Sequence, residues 1–166
     1  MDLTQPKIDD TDWRILEELQ DDGRLSYKEL GRRIHLSAPA VAERVRRLED
    51  AGVIVGYGAQ VDASRAGLPL LAFLQLRCRP DDCLLRTSTA DDYPEIVAVH
   101  KLAGEFCSML TVRTSTLSHF EGLAERLGAY GDMRTHIVMS TQYAGRPVQP
   151  VPNNRPVTQA DGWPKP

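Results

Sequence analysis

Apolar residues recur at helical spacing in three short runs along the first third of the chain, each run followed by a polar break. Ile15, Leu16 and Leu19, with Trp13, mark a first helix that ends near Asp21-Asp22-Gly23. Leu30 and Ile34 mark a second. Val41, Val45 and Leu48 mark a third at i, i+4 and i+7, one stripe of a helix advancing about 100° per residue. The start signals agree. Ser26 stands three residues before Glu29, so each side chain can satisfy an orphan amide of the other. Ser37 can cap the third helix, with Pro39 tolerated in the first turn because its missing N–H had no partner there. Gly52 stops that helix. Residues 1–57 therefore read as three helices around one small core, the last two joined by two or three residues in the manner of a helix-turn-helix module (winged-helix-like).

The pattern then changes period. Residues 58–69 are small and turn-forming and read as a linker with room for a short strand. Leu70–Cys78 reads as a strand, Ile96–Leu102 and Phe106–Arg113 as a hairpin around Ala103-Gly104-Glu105, and Arg134–Tyr143 as a last strand. Leu117, Phe120, Leu123, Ala124 and Leu127 recur at helical spacing, with Ser115 as the cap. Residues 81–93 are the weak element. Leu84-Leu85 is followed by Thr87-Ser88-Thr89, and a helix there is expected only because βαββαβ order requires one. Residues 70–143 thus predict a ferredoxin-like split βαβ domain, and the chain as a whole is α+β. The strands are too apolar for one open sheet face, so a second copy is expected to cover it. Residues 144–166 carry six prolines and no apolar periodicity, the mark of an extended or disordered tail in which Trp163 is the one residue suited to docking.

Charge placement separates a DNA reader from a plain three-helix bundle. The chain is formally −3, which argues against generalised nucleic-acid binding. Between Arg24 and Arg47, however, seven basic residues (Arg24, Lys28, Arg32, Arg33, Arg44, Arg46, Arg47) stand against Glu29 and Glu43 alone. The acids gather instead on the first helix, at Asp9, Asp10, Asp12, Glu17, Glu18, Asp21 and Asp22. A solvated basic face is the bland explanation of such a helix; beside a capped helix-turn-helix, double-stranded DNA is the favoured partner.

The run Ile8-Asp-Asp-Thr-Asp12, Asp22-Gly-Arg24, Glu29-Leu30, Leu36-Ser37, Arg44-Val45, Arg47-Leu48-Glu49, Gly52-Val53-Ile54 and Gly56-Tyr57 resembles the amino-terminal domain of the Lrp/AsnC (feast/famine) transcriptional regulators. The likeness continues through Gly67, Pro94-Glu95-Ile96 and Gly104 to Arg134–Met139, and spans residues 8–143. It implies a sequence-specific regulator whose carboxy-terminal domains pair as homodimers, with dimers assembling further, and whose effectors are amino acids. On this reading Arg44, Arg46, Arg47 and Lys28 meet phosphates, while Ser37, Ala38, Ala40 and Glu43 face base edges. The effector residues implied are Gly104, Glu105, Phe106, Cys107, Thr135 and His136. The family's turn reads Gly-x-x-Asp, and here Cys107 holds the aspartate position. A thiol neutral at pH 7 cannot replace a carboxylate that holds an effector's ammonium, unless something depresses its pKa. A plain hairpin turn is the competing reading of this loop.

Other chemistry is thinly represented. The chain has no Gly-x-Gly-x-x-Gly, no Walker-type loop, no His-Glu-x-x-His and no Cys-x-x-Cys. Cys107 with His100 or His119 makes an imaginable nucleophile and base, but a buried cysteine on a strand is far commoner. The four histidines lack ligand spacing, so no metal, cofactor or catalytic residue is assigned. Cys78, Cys83 and Cys107 are odd in number and irregularly spaced, which fits a reducing cytoplasm. No apolar run approaches the ~20 residues that span a bilayer. Two rival readings remain: an assembly or small-molecule-binding protein with a vestigial helix-turn-helix, and a metabolite enzyme on the ferredoxin-like sheet.

Overall fold

The computed structural model describes residues 7–81, 83–87 and 92–150. It divides into two compact units, one taking in the chain up to Ala59 and again from Gly145, the other Gln60–Ala144.

The first unit is built from α1 (Asp10–Asp21), α2 (Tyr27–Ile34) and α3 (Ala38–Asp50). Their apolar stripes close on Ile15, Leu16, Leu30, Ile34, Val41, Val45 and Leu48, all buried, with Trp13, Leu19, Leu36, Val53 and Ile54 packed around them. The caps lie where the sequence predicts them, but the Ser26–Glu29 box is only half formed, because the Glu29 carboxylate is held by Arg32 and Arg33. Ser26 Oγ accepts from Glu29 N at 3.2 Å and Ser37 Oγ from Ala40 N at 3.4 Å. The tight turn between α2 and α3 depends on two residues. His35 takes the left-handed conformation at φ 63°, and Gly31 lets the chain double back so closely that a Cβ there would lie 2.4 Å from the Leu36 carbonyl oxygen. A larger residue at position 31 would push the two helices apart. The start of the tail joins this unit instead of running loose, since Val148 exchanges two hydrogen bonds with the Gln20 side chain at 3.0 and 2.7 Å. Trp163 lies outside the described residues.

The second unit contains β1 (Leu70–Cys78), α4 (Leu84–Thr87), β2 (Ile96–Lys101), β3 (Ser108–Thr114), α5 (Leu117–Gly128) and β4 (Gly131–Ile137). The sheet order is β2-β3-β1-β4 with antiparallel neighbours, the ferredoxin-like arrangement. Ala72, Leu74, Leu76, Leu110 and Val112 face α5 and bury against Phe120, Leu123 and Leu127.

Several boundaries differ from expectation. Thr116, not Ser115, caps α5, accepting from His119 N at 3.1 Å. The last strand runs Gly131–Ile137 and ends with its partner β1, because past Ala72 only the Val138 amide still reaches β1, at Leu71 O. The linker forms no strand. Asp62 folds it into a turn by accepting from Ser64 N and Arg65 N, and an isolated extended segment has no ladder to join. The open sheet face is also less apolar than expected. Strand alternation puts Leu71, Phe73 and Met109 there, but among Gln75, Arg77, Thr111, Arg113, Arg134 and His136. Most of the apolar side chains on β1 and β3 went to the α5 side.

Candidate functional site

The organising residue of the first unit is Asp12, whose side chain is fully buried. It closes a reciprocal capping box with Asp9 at the start of α1, with N–H to carboxylate distances of 2.8 and 3.1 Å. Its two oxygens then receive two arginines from α3, Arg44 Nη1 at 2.8 Å and Arg47 Nη2 at 2.5 Å. Arg44 also reaches Asp9 at 2.8 Å, and that hydrogen bond is the main reason the Asp9 carboxyl titrates at about 2. The same contacts raise the Arg44 guanidinium above its usual value.

Arg44 lies on the stripe of Val41, Val45 and Leu48, and its guanidinium fastens α3 to α1. Arg47 is shared, with one nitrogen on Asp12 and half of its side chain in solvent. Arg33 is likewise occupied by Glu29 and Glu18, while Arg32 pairs with Glu29 from an exposed position. Arg32 and Arg33 together hold Glu29 at about 2. Asp9, Asp12 and Glu18 of the first helix are therefore internal partners of the basic segment. Sequence reasoning treated the two as separate. The usable signals were the capping-box spacing of Asp9 and Asp12 and the position of Arg44 on an apolar stripe.

What remains outward on α2 and α3 is a compact set. Ser37, Pro39, Glu43 and Arg46 are exposed, and Ala38 and Ala40 half-exposed. The Ser37 hydroxyl is engaged as a cap. Among the described residues Arg46 pairs with Glu43 alone, both two-thirds exposed. Such a surface pair is worth about 0–1 kcal/mol, so a phosphate can displace it easily. Lys28 is exposed and makes no ion pair among the described residues. The first turn of α3 thus offers small side chains, and charges flank them.

In the second unit the turn at Gly104 has φ 130°, a backbone setting that excludes most side chains. Glu105 lies 3.8 Å from Arg77 and 3.7 Å from Arg134, and the Arg134 guanidinium covers the buried Phe106 ring at 4.9 Å from its centroid. Glu105, Phe106 and Arg134 therefore form one cluster. Thr135 and His136 do not join it together. They sit opposite Leu74 and Phe73, and successive strand residues point to opposite faces.

Cys107 has an environment the sequence did not reveal. Its Sγ donates to Leu76 O at 3.1 Å and accepts from Cys78 N at 3.3 Å. Burial opposes ionisation most strongly, but hydrogen bonds from the Cys78 amide, the Cys78 thiol, Ser108 and Cys83 together hold Cys107 below the ordinary thiol value. Burial, with hydrogen bonds to Cys83 and Cys107, pushes Cys78 up to about 12. The imagined base pairing with Cys107 is not formed. His119 is held by Glu95 at 2.9 Å and by Ser115, and His100 is exposed opposite Met109.

Comparison with known proteins agrees with this two-unit layout. Residues 8–55 match the winged helix-turn-helix DNA-binding family, and residues 71–148 match the Lrp/AsnC ligand binding domain. The HTH-type transcriptional regulator LrpC of Bacillus subtilis (strain 168) is 37% identical over 134 residues, covering 81% of this chain and 93% of that protein. The solved structure of B. subtilis LrpC superimposes with a TM-score of 0.76 at 36% identity, over 81% of this chain and 96% of that one. The feast or famine regulatory protein (Rv3291c) from M. tuberculosis, solved complexed with L-methionine, gives a TM-score of 0.77 at 33% identity, over 87% of this chain and 100% of that one. Among the described residues no helix is long and apolar enough to cross a membrane.

Proposed function

The chain belongs to the Lrp/AsnC family of transcriptional regulators, and from that premise we propose how its own residues read DNA and sense a small molecule. The carrying observation is α3. It is capped at Ser37, fastened through Arg44 and Arg47 to Asp12, and presents small residues followed by charges on its outer side. A reading helix held this firmly loses little conformational freedom on binding. Ala38, Pro39, Ala40 and Glu43 approach base edges, while Lys28, Arg46 and the exposed half of Arg47 meet phosphates. Arg44 positions the helix without touching DNA.

Two copies pair through the sheet face that carries Leu71, Phe73 and Met109, and dimers assemble further. Pairing brings two reading helices to half-sites about 34 Å apart on one duplex. The protein works by binding in the cytoplasm and not by catalysis. The second unit senses a small molecule at the Gly104 turn, as suggested by the relative solved with L-methionine. With Cys107 at the aspartate position, ordinary α-amino acids bind weakly. The test is binding of the full chain to DNA upstream of its own gene against unrelated DNA of equal length. Specific regulators prefer their site by roughly 10³-fold or more. Equal affinity for both fragments would refute site-specific reading of that DNA.

A further inference from the structure

All three cysteines of the chain meet at one end of the sheet, although the sequence spaces them irregularly. Cys78 ends β1, Cys107 immediately precedes β3 on the neighbouring strand, and Cys83 immediately precedes α4. Their Sγ atoms lie within 4.8 Å of one another and all three residues are half-buried. None is in a disulfide. We propose that Cys78, Cys83 and Cys107 form a binding site for a soft, thiophilic metal cation.

Geometry supports this first. Sulfurs bound to one zinc at about 2.3 Å on tetrahedral corners lie roughly 3.8 Å apart, so these three need to draw in by about 1 Å at most. Two of the three are set by the β1–β3 register, which places Leu76 opposite Ser108. The third sits outside regular structure, where adjustment is cheap.

The donor set points the same way. Three sulfurs, with no histidine or carboxylate in the group among the described residues, suit copper(I) or zinc and not magnesium or calcium. The Cys78 amide already directs its N–H at Cys107 Sγ, the contact a thiolate wants. When Cys107 gives up its S–H, the Leu76 carbonyl is not orphaned, because it still accepts from Cys107 N at 3.0 Å. Each thiol passes its proton to water as its sulfur–metal bond forms, so no oxidant or reductant takes part. A disulfide would join two of the sulfurs and leave the third without a role.

Cys107 closes the Gly104 turn, so a metal there ties that turn to the end of β1 and to the segment before α4. Metal occupancy then sets DNA affinity, a consequence that rests on the regulator reading above; the metal site itself does not.

The test uses the full chain, reduced and metal-stripped, titrated with Zn²⁺ and separately with Cu(I) against a chromophoric chelator. One metal per chain is expected, with all three thiols protected from alkylation. Cys78→Ser, Cys83→Ser and Cys107→Ser should each lower affinity at least about 100-fold, beyond the 10–100-fold typical of losing a supporting partner. Cys83→Ser leaves every strand intact, so its result stands even if the strand variants fold poorly. His100→Ala should leave metal uptake unchanged. Which cation competes better identifies the metal. No metal uptake, uptake indifferent to Cys83→Ser, or mild oxidation that links two cysteines while metal protects none would overturn the site. DNA titrations with and without metal separate the two claims. Binding absent in both states sinks the regulator reading and leaves the site standing, while equal binding in both removes the regulatory consequence.

Discussion

The first unit closes its core on every side, and the second closes it on one. Three helices surround Ile15, Leu30, Val41 and Val45, and the charges around them are largely paired within the unit, above all at Asp12. In the second unit α5 covers one face of the sheet, while Leu71, Phe73 and Met109 remain half-exposed on the other. Two kinds of rigidity follow. The proposed reading helix is held by its own unit alone, whereas the sheet leaves one face half-exposed, the face on which the proposed dimer would complete its burial.

The difference is broken most severely by charging the open sheet face. Phe73→Asp should leave the α5 side and the fold intact while converting the oligomer to monomer in sedimentation. DNA affinity should fall by about 100-fold or more, since linking two modules is worth 10²–10⁴-fold. A folded monomer with undiminished affinity would mean that a single reading helix suffices.

The first unit is tested next by Asp12→Ala. Removing a buried carboxylate strands Arg44 and Arg47 and opens the capping box. Full loss of one partner of a buried pair costs about 3–5 kcal/mol, and the access of Arg44 and Arg47 to solvent reduces this to about 2–3 kcal/mol. Urea denaturation should show it in the helical transition, with the sheet unit unmoved. A neutral outcome would reduce the hub to ordinary surface pairing.

A smaller effect is expected at the Gly104 turn. Cys107→Asp restores the carboxylate and should raise affinity for an α-amino acid by about ten-fold, a charged hydrogen bond being worth roughly 1.5–3 kcal/mol. Melting temperature against ligand concentration measures it. Low-micromolar binding of a common amino acid by the unmodified chain, abolished by the substitution, would make Cys107 part of a differently built pocket.

The smallest effect is in acid. Asp9 titrates at about 2 in the folded chain against 3.8 ordinarily, chiefly because of Arg44. Its folded value is depressed, so its contribution is whole above about pH 4 and disappears as the pH falls through about 2. The melting temperature of the first unit should decline over that window, and less so in Arg44→Ala. An identical acid profile in the variant would detach Asp9 from Arg44.

The elements were legible where signals were local. Caps at Ser26 and Ser37, the stripe of α3 and the strand order could all be taken from spacing within a few residues. What escaped was set by tertiary register. Asp12 lies on the Ile15, Leu16 and Leu19 stripe of α1, but its partners Arg44 and Arg47 are more than thirty residues away and nothing within α1 names them. Cys78 and Cys107 are neighbours only because β1 and β3 pair antiparallel, and Cys83 joins them from a segment with almost no periodicity of its own. The linker strand failed for a related reason, because an extended segment becomes a strand only beside a partner.

The central claim is that the outer side of α3, with Lys28, carries the DNA contacts while Arg44 serves the fold. Salt-dependent titration of the full chain on its own upstream DNA tests it most directly. Lys28→Ala and Arg46→Ala should leave the melting temperature unchanged, weaken binding across sequences, and each reduce the slope of log K against log salt by roughly one unit. A folded double variant with the original affinity and slope would place the DNA surface elsewhere on the molecule.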